Sequence, residues 1–232
     1  MPFPPAVAEA IEDVYAAFAS EHRPRTIDAC PCCVDKKGLD ALLTVPLREL
    51  TPDQLGNYAG SVFLTAGAEA DFLYFLPRIL EIALSEDSWY PDLEILLGKL
   101  HLTSWSLWPK RKREAITRLF LAAFDAETRG PVRWYRTADD WICALALAHV
   151  DLDPFFERLL QKDAAAALLD FYDQNIQKVL MKGKLWNAFW RGHAKEMQSV
   201  LAWIKSPAVE RAVATRRKMR RVRSSPRTAG WR

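Results

Sequence analysis

Apolar side chains recur at every third or fourth position along most of this chain, and that period restricts the fold more than any other feature. Val7, Ile11, Val14, Tyr15 and Phe18 form one such stripe; Ile116, Leu119, Phe120, Ala123 and Phe124 form another, and Met197, Val200, Leu201 and Ile204 a third. A stripe of this kind belongs to a helix with one face to bury. The two-residue alternation of a half-buried strand, bounded by turn residues, is hard to find. The spacing therefore predicts an all-α protein. Short connections predict that sequential helices pack as antiparallel neighbours, as a HEAT-like solenoid of helix pairs or as an irregular helical domain. No sequence register repeats in a way that would select the solenoid.

Helix starts are marked by a capping residue directly before proline, because proline at the first helical position gives up an N–H that has no partner there. Thr51-Pro52, Asp153-Pro154 and Ser206-Pro207 carry this device. Thr137 with Asp140 three residues on is an acidic capping box, and Asp163 precedes an alanine run. Helices are expected near 5–20, 52–67, 70–86, 92–101, 109–127, 138–149, 154–161, 164–181, 185–204 and 207–222. Glu21 to Pro46, broken by Pro24 and Pro31, is expected to be mostly loop with a short turn around Leu39 to Leu43. Pro77 should kink its helix or start a new one.

With 232 residues, half of them apolar, the chain can bury a sizeable core without disulfides or metal. Its longest uncharged run, Leu55 to Ala68, has 14 residues, short of the roughly 20 needed to span a bilayer, so no membrane partner is expected. Met1-Pro2-Phe3-Pro4-Pro5 has neither the basic start nor the apolar core of a secretory signal, which predicts a cytoplasmic location. Residues 206–232 hold nine Lys or Arg against the single Glu210, a net of +8, which leaves −5 on residues 1–205. The expected organisation is a helical domain over 1–205 followed by a basic helix or tail over 206–232.

Cys30-Pro31-Cys32-Cys33, with His22 upstream, is the most distinctive short string. Thiolate zinc sites take four ligands, usually as two separated pairs, and the second pair is missing. Structural thiols in a tight loop are the favoured reading, with zinc held by Cys30, Cys32, Cys33 and His22 as the alternative. In the apolar segment Phe72 to Glu81, Arg78 and Glu81 can meet at spacing three, most simply as a structural pair and otherwise as partner-binding residues. Lys110-Arg111-Lys112-Arg113 places cations at a helix start, where the dipole disfavours them; a solvated face is the favoured reading, with Lys110, Arg111 and Arg113 as candidates for an acidic partner or a phosphate otherwise. Between Lys182 and Lys195, Trp186, Phe189 and Trp190 are spaced as a buried helical face. Around the last helix Arg216, Arg217, Lys218, Arg220, Arg221 and Arg223 point in all directions, which predicts a mobile or marginally helical arm from about Thr215 to Arg232. Arg216, Arg217 and Arg220 are its binding candidates.

The Cys-Pro-Cys-Cys string, Pro46-Leu47-Arg48-Glu49-Leu50-Thr51 and Phe75-Leu76-Pro77-Arg78-Ile79-Leu80-Glu81 together resemble a group of bacterial helical proteins, over about residues 10–85. Such proteins resemble, in size and helical character, the small immunity proteins encoded beside bacterial toxins. The resemblance implies a partner protein, a toxin in its most specific form, and transfers no catalytic residues. The common nucleophile-elbow, zinc-protease and phosphate-loop motifs are absent, and His149-Val150-Asp151-Leu152-Asp153 is explained as the end of one helix and the cap of the next. The expectation is a protein-binding module without a cofactor. Its rivals are a nucleic-acid-associated protein that uses the basic arm and a helical enzyme with an unrecognised site.

Overall fold

The computed structural model describes residues 2–30, 36–130, 132 and 135–224, with Lys36 and residues 221–224 described by backbone alone. Among these residues there are eleven α-helices and no strand, only two isolated bridges that join Ala29 and Val62 to Ala66. The helices are α1 (Pro5–Ala17), α2 (Lys36–Thr44), α3 (Pro52–Ser61), α4 (Glu69–Ser85), α5 (Leu93–Leu102) and α6 (Lys110–Arg129). They continue with α7 (Ala138–Leu147), α8 (Asp153–Leu159), α9 (Ala165–Lys182), α10 (Ala194–Ile204) and α11 (Pro207–Ser224). The architecture is the irregular helical domain. The most extensive packing joins α1 to α6 and α5 to α7, helices that are not sequential, whereas a solenoid stacks each repeat on its neighbours. The expectation that sequential helices form the main pairs is corrected accordingly.

Capping explains most of the helix starts. Thr51 Oγ1 accepts from Gln54 N at 3.4 Å while Gln54 Oε1 accepts from Thr51 N at 2.8 Å, and Thr137 and Asp140 repeat the exchange at the start of α7. Ser206 Oγ accepts from Val209 N at 3.4 Å ahead of Pro207. Two expected caps differ. Asp153 lies inside α8, its N–H taken by Asp151 at 3.1 Å, and Asp163 turns to Arg158 and Arg129 instead of capping α9.

Helix α4 runs through Pro77 without a break. Burial of Phe72, Phe75, Leu76, Ile79 and Leu80, each favourable by ~1.5–3 kcal/mol, outweighs a proline penalty of roughly 3 kcal/mol. Residues 185–193, by contrast, are not α-helical. Gly183 and Gly192 take φ of 60° and 88°, and Asn187 draws Phe189 N to its side-chain oxygen at 2.9 Å, a local bond that competes with the helix. A short 3-10 turn, Ala188–Trp190, replaces the expected helix: Trp190 is buried, Phe189 half-buried and Trp186 exposed, so the three do not share one buried face.

The last helix also departs from expectation. Arg216 is buried, and its guanidinium donates to the carbonyls of Leu160, Gln161 (2.9 Å) and Ala212 (3.1 Å), which satisfies the end of α8. Arg217 pairs with Asp173 of α9, so this part of α11 is docked rather than an arm. Residues beyond Ser224 lie outside the described residues.

Candidate functional site

Helix α7 is enclosed by α5, α6, α9 and α10, and apart from Asp140 every residue from Ala138 to Leu147 is buried. A helix that is apolar all round is normally a core element, so the two carboxylates in its first turn, Asp139 and Asp140, stand out. They open into a cleft of about 660 Å3. Its walls are the first turn of α7, the start of α5 with Asp92 and Glu94, the 86–92 connection, and the 186–189 turn.

Each wall has a local cause. In the 86–92 connection, Trp89 Nε1 donates to Pro52 O at 2.9 Å, and Tyr90 lies so close to α3 that a Cβ on Gly60 would come within 2.5 Å of its ring. Arg136, at φ 51°, donates to the carbonyls of Ala83 and Leu84 at 2.8 Å, ending α4, and faces Asp87 and Glu127 at 3.4 Å. The 186–189 turn is tied down by two asparagines. Asn187 Nδ2 donates to Glu94 Oε1 at 2.6 Å; Asn175 Nδ2 donates to Asp139 Oδ1 at 2.7 Å while its Oδ1 accepts from Trp186 N at 2.7 Å.

These donors are neutral amides. Glu94 and Asp139 are 5% and 3% exposed, and burial pushes Glu94 up to about 7 and Asp139 up to about 6 against the opposing pull of those amide bonds. Asp140 is also raised by burial, although Thr137 bonds it. A concave site holding carboxylates displaced in this way, with aromatic walls from Trp89, Tyr90, Tyr135, Trp186 and Phe189, fits a ligand-binding cleft. Tyr90 and Trp186 remain 58% and 63% exposed at its mouth.

The residues singled out from sequence lie elsewhere. Arg78 and Glu81 pair at 2.7 Å, and Arg78 Nε donates to Leu50 O at 2.9 Å while Tyr15 donates to Glu81 at 2.6 Å, a joint between α1, α4 and the 47–50 turn. The cations at the start of α6 diverge: Lys110 faces Glu114 at 3.6 Å, Lys112 is buried against Glu21, Arg113 donates to Ser106 O at 2.9 Å, and Arg111 is exposed. Arg220 is exposed on α11. His22 is exposed and Cys30 half-buried, with Cys30 N donating to Thr65 O at 2.8 Å; Cys32 and Cys33 lie outside the described residues. Cys143 is a buried thiol in α7, pushed up by burial. His149, at φ 56°, lies 3.3 Å from Glu196 and meets the His101 ring at a tilt, centroids 4.0 Å apart. Among the described residues no three His, Cys, Asp or Glu side chains are placed to hold a metal ion.

Sequence reasoning recognised Asp140 as half of a capping box and missed Glu94, Asp139, Asn175 and Asn187. The available signal was Asp139 heading the apolar stripe Ile142, Cys143 and Ala146 on a helix with no polar face. Comparison with known proteins returns no matching family model, no matching curated protein and no matching solved structure.

Proposed function

We propose that this chain is a protein-binding module whose partner engages the cleft between α5, α7 and the 186–189 turn. The observation that carries the reading is the mouth of the cleft, where Tyr90 and Trp186 stand exposed above buried carboxylates. Leu180 and Met181, on the last turn of α9, are likewise exposed apolar side chains. Tyr and Trp at the mouth of a polar depression are the composition of interface anchors. An immunity-type role, in which the partner is a toxin, is one form of this reading and has only the sequence resemblance behind it. Binding of nucleic acid through the basic positions is less well supported. Arg216, Arg217 and Arg113 are engaged within the fold, and the cleft itself would repel phosphate.

The test is retention of partners from the native lysate by the full chain, compared with Trp186→Ala and Tyr90→Ala variants whose melting is checked in parallel. A partner held by the parent and lost from both variants at unchanged melting is expected. An identical set of retained proteins would remove the cleft from the interface.

A further inference from the structure

We infer that the cleft receives the guanidinium group of an arginine carried by the partner protein, an inference that rests on the binding reading above. Its first support is charge. Six carboxylates line the cleft against one cation, Arg136. That arginine donates to the carbonyls of Ala83 and Leu84 and pairs with Asp87 and Glu127. Glu94 and Asp139 are therefore met by amides alone, from Asn187 and Asn175. An uncompensated buried carboxylate is costly, and a cation entering from the mouth relieves that cost while making charge-assisted bonds.

The second support is the walls, which are independent of the charge. Trp89, Tyr90, Tyr135, Trp186 and Phe189 face the same space. Flat rings beside carboxylates suit a guanidinium better than an ammonium, because it is planar, more weakly hydrated, stacks on aromatic faces and reaches carboxylates with a fork of donors. A bound metal is the obvious competitor for such a floor, but among the described residues no three ligand side chains converge as metal binding needs. The volume of about 660 Å3 admits a side chain together with the backbone that flanks it. Binding follows a simple proton balance: the guanidinium enters charged, Glu94 and Asp139 give up the protons that burial lets them keep, and those protons leave to solvent.

The test uses the full chain and two blocked amino acids of the same shape, N-acetyl-arginine amide and its neutral isostere N-acetyl-citrulline amide. Calorimetry is combined with the indole N–H resonances of Trp89 and Trp186. Saturable binding of the arginine amide is expected, with both resonances shifting, the citrulline amide weaker by at least roughly ten-fold, and affinity increasing roughly ten-fold from pH 5.5 to 7.5 with proton release. Glu94→Gln, which keeps the oxygen that Asn187 bonds, should remove most of the affinity and the part of the pH dependence near pH 7, leaving the lower part that belongs to Asp139; Asp139→Asn should remove that lower part. Equal binding of the two amides, affinity indifferent to pH, or no saturable shift would overturn the inference. If the arginine amide fails while the partner still requires Trp186 and Tyr90, the arginine inference falls and the binding reading stands. If the arginine amide binds but the partner is indifferent to those rings, the binding reading falls, and the partner as source of the arginine falls with it.

Discussion

Replacing Glu94 by Gln removes a carboxylate that the fold keeps dry while leaving in place the oxygen that accepts from Asn187 at 2.6 Å. Burial raises this carboxyl from its ordinary 4.5 to about 7, a rise equivalent to about 3 kcal/mol. Between those two pH values the folded protein holds a proton that the unfolded chain has already released. Stability from this group is therefore full below pH 4.5, falls as pH rises through that window, and is level once the folded carboxyl has ionised. Glu94→Gln cancels this dependence. The variant should match the parent to within about 1 kcal/mol at pH 5 and exceed it by about 3 kcal/mol at pH 8. The latter gain corresponds to a rise in melting temperature of roughly 6–12 °C for a chain of this size. Urea unfolding followed by tryptophan fluorescence at the two pH values measures both differences. The same increment at both pH values would show that the Glu94 carboxyl is not shifted, and a variant less stable at pH 8 would show that it is held by a charge partner; either result would defeat the reasoning about the cleft floor. A stabilising substitution at a binding residue is the expected signature of a site whose strain serves function.

Three further substitutions test the scaffold around the cleft. Gly60→Ala places a Cβ within 2.5 Å of the Tyr90 ring; because that exposed ring can swing away, the cost in thermal melting should stay below about 1 kcal/mol while the Tyr90 resonances are displaced. Arg216→Met removes the donor to the carbonyls at the end of α8 and should cost about 2–3 kcal/mol; because the acceptors are neutral carbonyls rather than carboxylates, the loss should persist in high salt. Arg78→Leu leaves Glu81 with Tyr15 alone and Leu50 O without its donor, and should cost about 2–3 kcal/mol in urea unfolding while partner retention is unchanged.

The helical class was legible because apolar period and caps report local structure. Thr51, Thr137 and Ser206 cap where their sequence context predicts. What the period could not give was which helix faces which, since the packing of α1 on α6 depends on surfaces far apart in the chain. Of the two outcomes expected at Pro77, a new helix start does not occur: the proline's penalty is local, while the burial that overrides it comes from tertiary contacts. The basic run in α11 looked unable to pack because charge counting ignores carbonyls, and it is the exposed end of α8 that takes Arg216. The cleft was almost silent in the sequence. Glu94, Asp139, Asn175 and Asn187 come from four separate stretches, and none forms a recognisable motif until the fold brings them together. Arg78 and Glu81, which did stand out, were correctly read as a pair because spacing three on a helix is local information.

The most direct test of the central claim places a photoreactive benzoylphenylalanine at the mouth of the cleft, in place of Trp186, and in a separate chain at exposed Glu9 on α1. Illumination in the native cells, followed by mass spectrometry of the adducts, reads which surface meets a partner. The account predicts a discrete adduct from position 186, diminished by Tyr90→Ala, and none from position 9. The same adducts from both positions, or adducts from position 9 alone, would contradict it.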